Sequence, residues 1–437
     1  MTTLKMRSLA TLAGAALVAA AVLAGCAKAG DKDAKASGKP TTLSFWTFQE
    51  LHNGFMQDAA KTWNESHPNE LIELKTDVLP YDEMHNKLLI SLQSGTGAPD
   101  IADIEISKFA NYLKGSKPGL VPLNDVLAAD MDKFIIGRLE NYAKDGKYYG
   151  LDYHVGASVI YYNTEIMNAA GVDIDSIKTW DDFAAAGKTV VAKTGKPMTT
   201  VESTEHWSFY PLISQQKSDF LDASGKGILD NDVNVKTLEF IKKLVDDKIA
   251  VIAPGGFHHA EEYWAFMNEG GAATLWMPLW YMNRFTDYMP KLKGKIAVRP
   301  LPIWKAGDNR SAGMGGTGTA VTVQAKNQDL AVRFLAHAKA SREGAIKTWT
   351  LLGFDPIRWD VWTDPVMKAP NKFTEYCGDG VFGMLVSIKD EVGPINVGEK
   401  FPEAVSLVQK DVMFKVLGEK SAEPRKALSD ANAILNK

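Results

Sequence analysis

Trp46, Gln49, Glu50 and His52 fall within the stretch "FWTFQELHNGF", where an apolar run gives way to a polar one. Similar groupings recur along the chain. Glu105 lies two residues beyond Asp103, on the same face of a strand by the period of two. Glu202 closes "TTVES" and is followed by His206 and Trp207; Trp276, Trp280 and Tyr281 lie in "ATLWMPLWYM"; His154 follows "GLDY". Flat aromatic rings cover an apolar C–H face, while carboxylate, amide and imidazole groups hydrogen-bond hydroxyls. A charged acceptor contributes about 1.5–3 kcal/mol per bond, against about 0.5–1.5 for a neutral one. A sugar ring has both an apolar face and a hydroxyl rim, so the combination suits carbohydrate.

The elements that must position these groups alternate. "TLSFWTF" reads as a strand, "NGFMQDAAKTWNESHP" as a helix with Phe55, Ala59 and Trp63 on one face, and "LIELKTDVL" as the next strand. A second amphipathic helix, "YDEMHNKLLISLQSG", precedes the strand "DIADIEI". Alternation resumes after the aromatic and β-branched run "GKYYGLDYHVGASVIYYN", through "TWDDFAAAGKTVVAKTG", "NVKTLEFIKKLVDDK", "AATLWM" and "GKIAVRPLPI". After the glycines of "GMGGTGTAVTV" comes the helical "QDLAVRFLAHAKASREGAIKTW", and the tail from Pro402 is helical. Strand–helix alternation predicts an α/β fold of mostly parallel sheets flanked by helices, in which ligands sit at the carboxyl ends of strands.

Each of these residues has a plainer reading. Trp63 and Trp180 read as core, the latter at a helix start, and nothing local separates Trp349 and Trp359 from core. Trp264 and Trp304 stay open and are left out of the site. Arg358, in "DPIRWD", reads as an ion pair with a nearby aspartate. His154 is either a hinge residue or a ligand contact. "HHAEE" approaches the H-x-x-E-H zinc signature, but Glu262 stands where the second histidine is needed, so no metal is expected. "GMGGTG" lacks the Lys and Ser/Thr of a phosphate loop and precedes a strand instead of a helix.

The ends and totals narrow the class. Lys5 and Arg7 precede an apolar run from Leu9 to Leu23 and then "LAGC", the layout of a secretory signal at 1–25. "LAGC" is similar to a bacterial lipobox, which makes Cys26 the acylated first residue of the mature chain. Residues 26–40 are small and charged and read as a flexible tether. Removing the signal leaves 412 residues, enough for two lobes, and the loss of its two positive charges takes the net charge from −4 to −6. No basic face for nucleic acid is present. Cys377 is the one cysteine besides Cys26, so no structural disulfide is expected.

The ordered set "LSFWTF", "APDIADIE", "YGLDYHVGASVIYYN", "TWDDF", "GGAATLWMPLW" and "GGTGTAV", after a lipobox, resembles the extracellular solute-binding proteins of carbohydrate ABC importers, of the maltose-binding type. The likeness covers nearly the whole chain after the tether. It implies a two-lobed fold with a multi-crossing hinge, lobe 1 at 41–153 plus 316–354 and lobe 2 at 154–315 plus 355–437. It further implies an oligosaccharide ligand, by the nearest likeness one of arabinose, with no cofactor. Its partners would be membrane permease subunits with a separate ATPase, and the bilayer through Cys26, on the outer face of the cell membrane, with the protein itself a monomer.

A second reading is a secreted, membrane-anchored glycoside hydrolase. Glu50, Glu105 and Glu202 would supply its carboxylate pair, about 5–5.5 Å apart for a retaining mechanism or further apart for an inverting one. The sequence does not measure that separation; the lipobox and the ordered motifs favour a non-catalytic receptor.

Overall fold

The computed structural model describes residues 38–437 apart from Ser116 and Pro394. The expected signal, the acylated Cys26 and most of the tether lie outside the described residues. No described helix is long and apolar enough to cross a membrane.

The first sheet grows from β1 (Thr41–Thr47), whose Leu43 and Phe45 are buried on one side. The helix α1 (Glu50–Ser66) buries Phe55, Met56, Ala59 and Trp63 and returns the chain to β2 (Ile72–Val78). β2 runs parallel to β1 from the pair Thr41–Ile72 to Thr47–Val78. The next helix, α2 (Tyr81–Ser94), ends on a left-handed Gly95 and leads to β3 (Ile101–Glu105), which adds to the other edge of β1. Both helices enter at the carboxyl ends of strands, so Gln49, His52 and Glu105 come to one rim.

A ribbon of β4 (Ala143–Lys144) and β5 (Lys147–Tyr148) follows. The second sheet has β6 (Ser158–Asn163), β7 (Thr199–Val201), β8 (Ala250–Ile252), β9 (Thr274–Pro278) and β10 (Ile296–Pro300), in the order β10-β6-β9-β7-β8. β9, β7 and β8 are mutually parallel, while β6 is antiparallel to both β9 and β10. The sheet is therefore mixed, because β6 enters it directly from the first half of the molecule. The helix Trp180–Thr194 opens with a capping box between Thr179 and Asp182, which seats Trp180 in the core. β11 (Thr317–Val321) then leaves this half and pairs antiparallel with β3, giving the first sheet its order β11-β3-β1-β2.

Two extended segments connecting the halves run side by side, bridged at Leu151–Thr319 and Ala157–Gly313. A third passage lies against them, where Val155 N donates to Asp355 O at 2.8 Å and Ala157 N to the Asp355 carboxylate at 2.7 Å. Gly156 has φ 72, and a Cβ there would collide with the Met314 carbonyl, so only glycine fits the close approach. Charged groups lace the same region from below. Arg138 donates to Asp152 at 2.6 Å and to Gly315 O at 2.6 Å; Tyr142 and the Thr317 amide also donate to Asp152. Lys339 donates to Leu151 O and to Thr319 Oγ1, with its ammonium 3.2 Å from the Tyr153 ring centre. That contact sits at a helix break, where Ser341 caps the following helix through the Gly344 amide. The helix expected to run unbroken through 328–349 stops at Ser341, after a wide turn that points Lys339 inward.

Burial alone would raise the Asp152 carboxyl, but Arg138, His154 and the Tyr142 hydroxyl outweigh it and hold it at about 2. A carboxyl whose folded pKa lies below its unfolded value, about 3.9, stabilises the fold above that value. The contribution is lost as pH falls through the folded value. Asp152→Asn should therefore be less stable than the wild type at pH 7, by about 3–5 kcal/mol for a broken buried pair. The gap should narrow between about pH 4 and about pH 2. Urea unfolding across that range measures it, and a gap independent of pH would show that the charge of Asp152 contributes nothing.

Candidate functional site

A cavity of about 670 Å³ opens between the two sheets. Its first wall comes from the carboxyl ends of β1 and β3 and the starts of α1 and α2: Phe48, Gln49, His52, Tyr81, Glu105 and Ser107. The floor is His154 with Gly315–Thr317. The second wall carries Glu205, His206, Trp207, His259, Trp264 and Trp280, and the helical segment Val408–Gly418, which continues the helix Phe401–Leu407, adds Gln409.

The first wall is polar and braced from behind. His52 Nδ1 meets Asp103 at 2.9 Å and its ring stacks on Tyr153 at 4.0 Å. Thr47 and Thr319 donate to the same carboxylate at 2.7 and 2.6 Å. Burial would raise Asp103, but the charge and hydrogen bond of His52 outweigh it and lower it. Asp103 thus orients His52, whose Nε2 has no partner among the described residues. Glu105 accepts through one oxygen from Tyr81 at 3.0 Å and from the Ser107 amide and hydroxyl. Burial raises its carboxyl despite those bonds. Phe48 packs between Tyr81 and His85, with ring centres 5.2 and 5.1 Å away.

The second wall is mainly aromatic and also carries Glu205 and Arg284. Trp280 donates to Met314 O at 3.2 Å and meets Trp207 edge-on at 5.4 Å. His259 stacks on it at 5.5 Å. Burial holds His154 and His259 down at about 3, so both rings are neutral near pH 7. Gly315 has φ 69, and a Cβ there would approach the Trp280 nitrogen to 2.9 Å. His206 stacks on Trp207 at 4.9 Å and contacts Gln409 at 3.2 Å. Two indoles, flanked by imidazole rings and facing a polar wall, can take an apolar ring face on one side and hydroxyls on the other.

Gln49, His52, Glu105, His154, His206, Trp207 and Trp280 therefore meet at one cavity, and five expected residues do not. Trp46 is buried in the first sheet with Lys87 over its ring at 4.2 Å. Glu50 is exposed in the first turn of α1, where it accepts from Asn53, because the helix starts earlier than its apolar spacing suggests. Trp276 lies inside β9, two residues before that strand ends, and packs on Trp180 and Phe183 at 5.3 and 5.9 Å. Tyr281 is buried and donates to His258 O. Glu202 is wholly buried beneath the site, accepting from the His258 amide at 2.9 Å. It braces the loop that presents His259. Of the three glutamates proposed for hydrolysis, only Glu105 reaches the cavity.

The sequence reading passed over His259, treated there as half of a metal motif, and Trp264, which had been left open. Phe48, Tyr81 and Gln409 were also missed; the last carries no local signal. Elsewhere Trp63 and Trp349 are core, Trp359 is 46% exposed, and Arg358 pairs with Asp130 and Asp360.

Residues 47–344 match the model of the family described as bacterial extracellular solute-binding protein. The arabinooligosaccharide-binding protein of Bacillus subtilis (strain 168) is 51% identical over 412 residues, 94% of either chain. That of Halalkalibacterium halodurans is 48% identical over 396 residues, 90% of this chain and 89% of its own. Among solved structures, the GacH receptor of Streptomyces glaucescens superposes with a TM-score of 0.75 at 20% identity, covering 91% of this chain and 99% of its own. A maltose-bound T. maritima protein gives 0.73 at 18%, covering 90% and 99%. The fold is thus the two-lobed α/β fold of maltose-binding-type proteins.

Burial pushes the Glu202 carboxyl well above its ordinary 4.5, and the backbone amides around it offset this only in part. The folded state then holds a proton that the unfolded state releases, so this group costs stability as pH rises above about 4.5. Glu202→Gln carries no such proton, and its stability relative to the wild type should climb with pH over that range. Urea unfolding at several pH values checks this; a difference constant with pH would mean an ionised Glu202.

Proposed function

The chain belongs to the family of bacterial extracellular solute-binding proteins, and from that premise we propose that it captures arabino-oligosaccharides outside the cell and delivers them to the permease of an ABC importer. The observation that carries the ligand class is the pairing of walls: an uncharged aromatic cluster at Trp207 and Trp280 opposite the hydrogen-bonding groups of His52 and Glu105. The sugar itself follows from the two relatives that are about half identical over nearly the whole chain.

In this reading the lobes are 41–153 plus 316–354 and 154–315 plus 355–437. A ligand held by both walls binds the closed form more tightly than the open one, and that difference in affinity closes the hinge. The passages at 151–157 and 312–317 take up the change, and the permease engages the closed shape. The energy comes from a separate ATPase, and the protein waits at the outer face of the membrane, acylated at Cys26 after removal of residues 1–25. Hydrolysis is disfavoured by the glutamates, since Glu50 is on the surface and Glu202 under the site, leaving Glu105 without a second carboxylate of that set.

Trp280→Ala should weaken binding of arabinotriose at least about tenfold while the fold survives, since an aromatic contact contributes about 0.5–1.5 kcal/mol beyond its burial. Calorimetric titration measures the loss, and scattering from the wild-type samples should show the radius of gyration falling on saturation. Unchanged affinity in the variant, or tight binding of malto- but not arabino-oligosaccharides by the wild type, would remove the reading.

Cys26→Ala should release the mature protein from the membrane fraction with its sugar affinity intact, because the lipid is carried outside the folded part of the chain. Fractionation without detergent tests the anchor, and a variant that stays with the membrane argues against it.

A further inference from the structure

Arg284 lines the cavity and makes no hydrogen bond or ion pair within the described residues; its Nε is buried without a partner. Each of the other seven described arginines holds a carboxylate. Beside it Asn283 also lines the cavity, is 4% exposed, and has a side chain that makes no hydrogen bond. Native proteins leave few buried polar groups unpaired, and two adjacent ones at a cavity wall call for an explanation from outside the chain.

The guanidinium is held in place. It lies over the Trp264 ring at 5.9 Å, and that ring is fixed by bonds from its nitrogen to His258 O at 3.1 Å and Tyr281 Oη at 3.2 Å. A relay of contacts links it to the aromatic cluster: Trp280 stacks on His259, His259 meets Tyr281 at 5.4 Å, Tyr281 bonds Trp264, and Trp264 carries Arg284. The neighbours along that relay bear no charge. A planar fork of donors that no carboxylate engages among the described residues suits the oxygens of adjacent hydroxyls.

We propose that Asn283 and Arg284 form a terminal subsite that binds the hydroxyls of a sugar residue beyond the one stacked on Trp207 and Trp280, and so make the site favour longer chains. The proposal rests on the oligosaccharide reading above and adds to it the residues that sense chain length. A ligand confined to the indoles does not reach the fork. A longer one does, and it satisfies donors that the protein leaves open.

The test is calorimetric titration of the whole mature protein with α-1,5-linked arabinobiose, arabinotriose and arabinotetraose. Wild type, Arg284→Ala, Arg284→Lys and Asn283→Ala are compared, each with its unfolding temperature measured without sugar. In the wild type, affinity should rise with length. Arg284→Ala should flatten that rise, losing about tenfold or more for arabinotetraose and progressively less for the shorter sugars. Arg284→Lys should recover part of the loss, since one ammonium replaces a fork. An equal loss at every length would make Arg284 a structural residue, and no loss would remove it from the site; either outcome overturns the subsite. A wild type that binds none of the three sugars overturns the ligand assignment itself, which separates the two failures.

Discussion

The contact between Arg138 and Asp152 carries more of this architecture than any other single interaction. The pair is fully buried, and Arg138 also reaches Gly315 O, so one side chain ties the outgoing segment at 152 to the returning one at 315. Burying two charges costs free energy unless they are paired, and here both oxygens of Asp152 are used, by Arg138 and Tyr142 on one side and by the His154 and Thr317 amides on the other. The same bonds set the positions of His154 and of Gly315–Thr317, the floor of the cavity. A binding site between two sheets needs a fixed floor before its walls can close on anything.

The two walls divide the chemistry. On the first sheet the polar groups are braced by a buried carboxylate, Asp103, and by hydroxyls, so their orientations are set before a ligand arrives. On the second, His259 has lost its charge to burial and stacks as a flat ring on Trp280. Preorganised donors and acceptors facing a dry aromatic surface reduce the ordering cost of binding.

Much of this was legible in the sequence, and the failures have a common cause. Strand–helix alternation and the rim at Gln49, His52 and Glu105 followed from periodicity, as did the core role of Trp63. Trp276 and Trp280 lie four residues apart in one apolar phrase, and no local pattern says that β9 continues to Pro278, hiding the first and freeing the second. Glu202 also ends a strand, but the loop at 254–259 folds over it. Gln409 reaches the cavity from a helix far along the chain. Side-chain placement at strand ends depends on what packs across them, which a linear pattern does not contain. The break at Ser341 is carried by packing too: Ser341 caps the next helix through the Gly344 amide, Gly344 leaves room for the Ala338 carbonyl, and Lys339 turns inward to Leu151 and Thr319.

Trp280 hangs by its indole nitrogen from the Met314 carbonyl, and Gly315 beside it admits no Cβ without touching the ring. The stacking surface and the connecting strand are therefore mechanically one part. Indole emission depends on the polarity and hydrogen bonding around the ring, so any rotation of that strand is written into the colour of its light. Of the chain's eleven tryptophans, Trp280 is the one whose nitrogen bonds that strand, so its share of the emission would report a shift there.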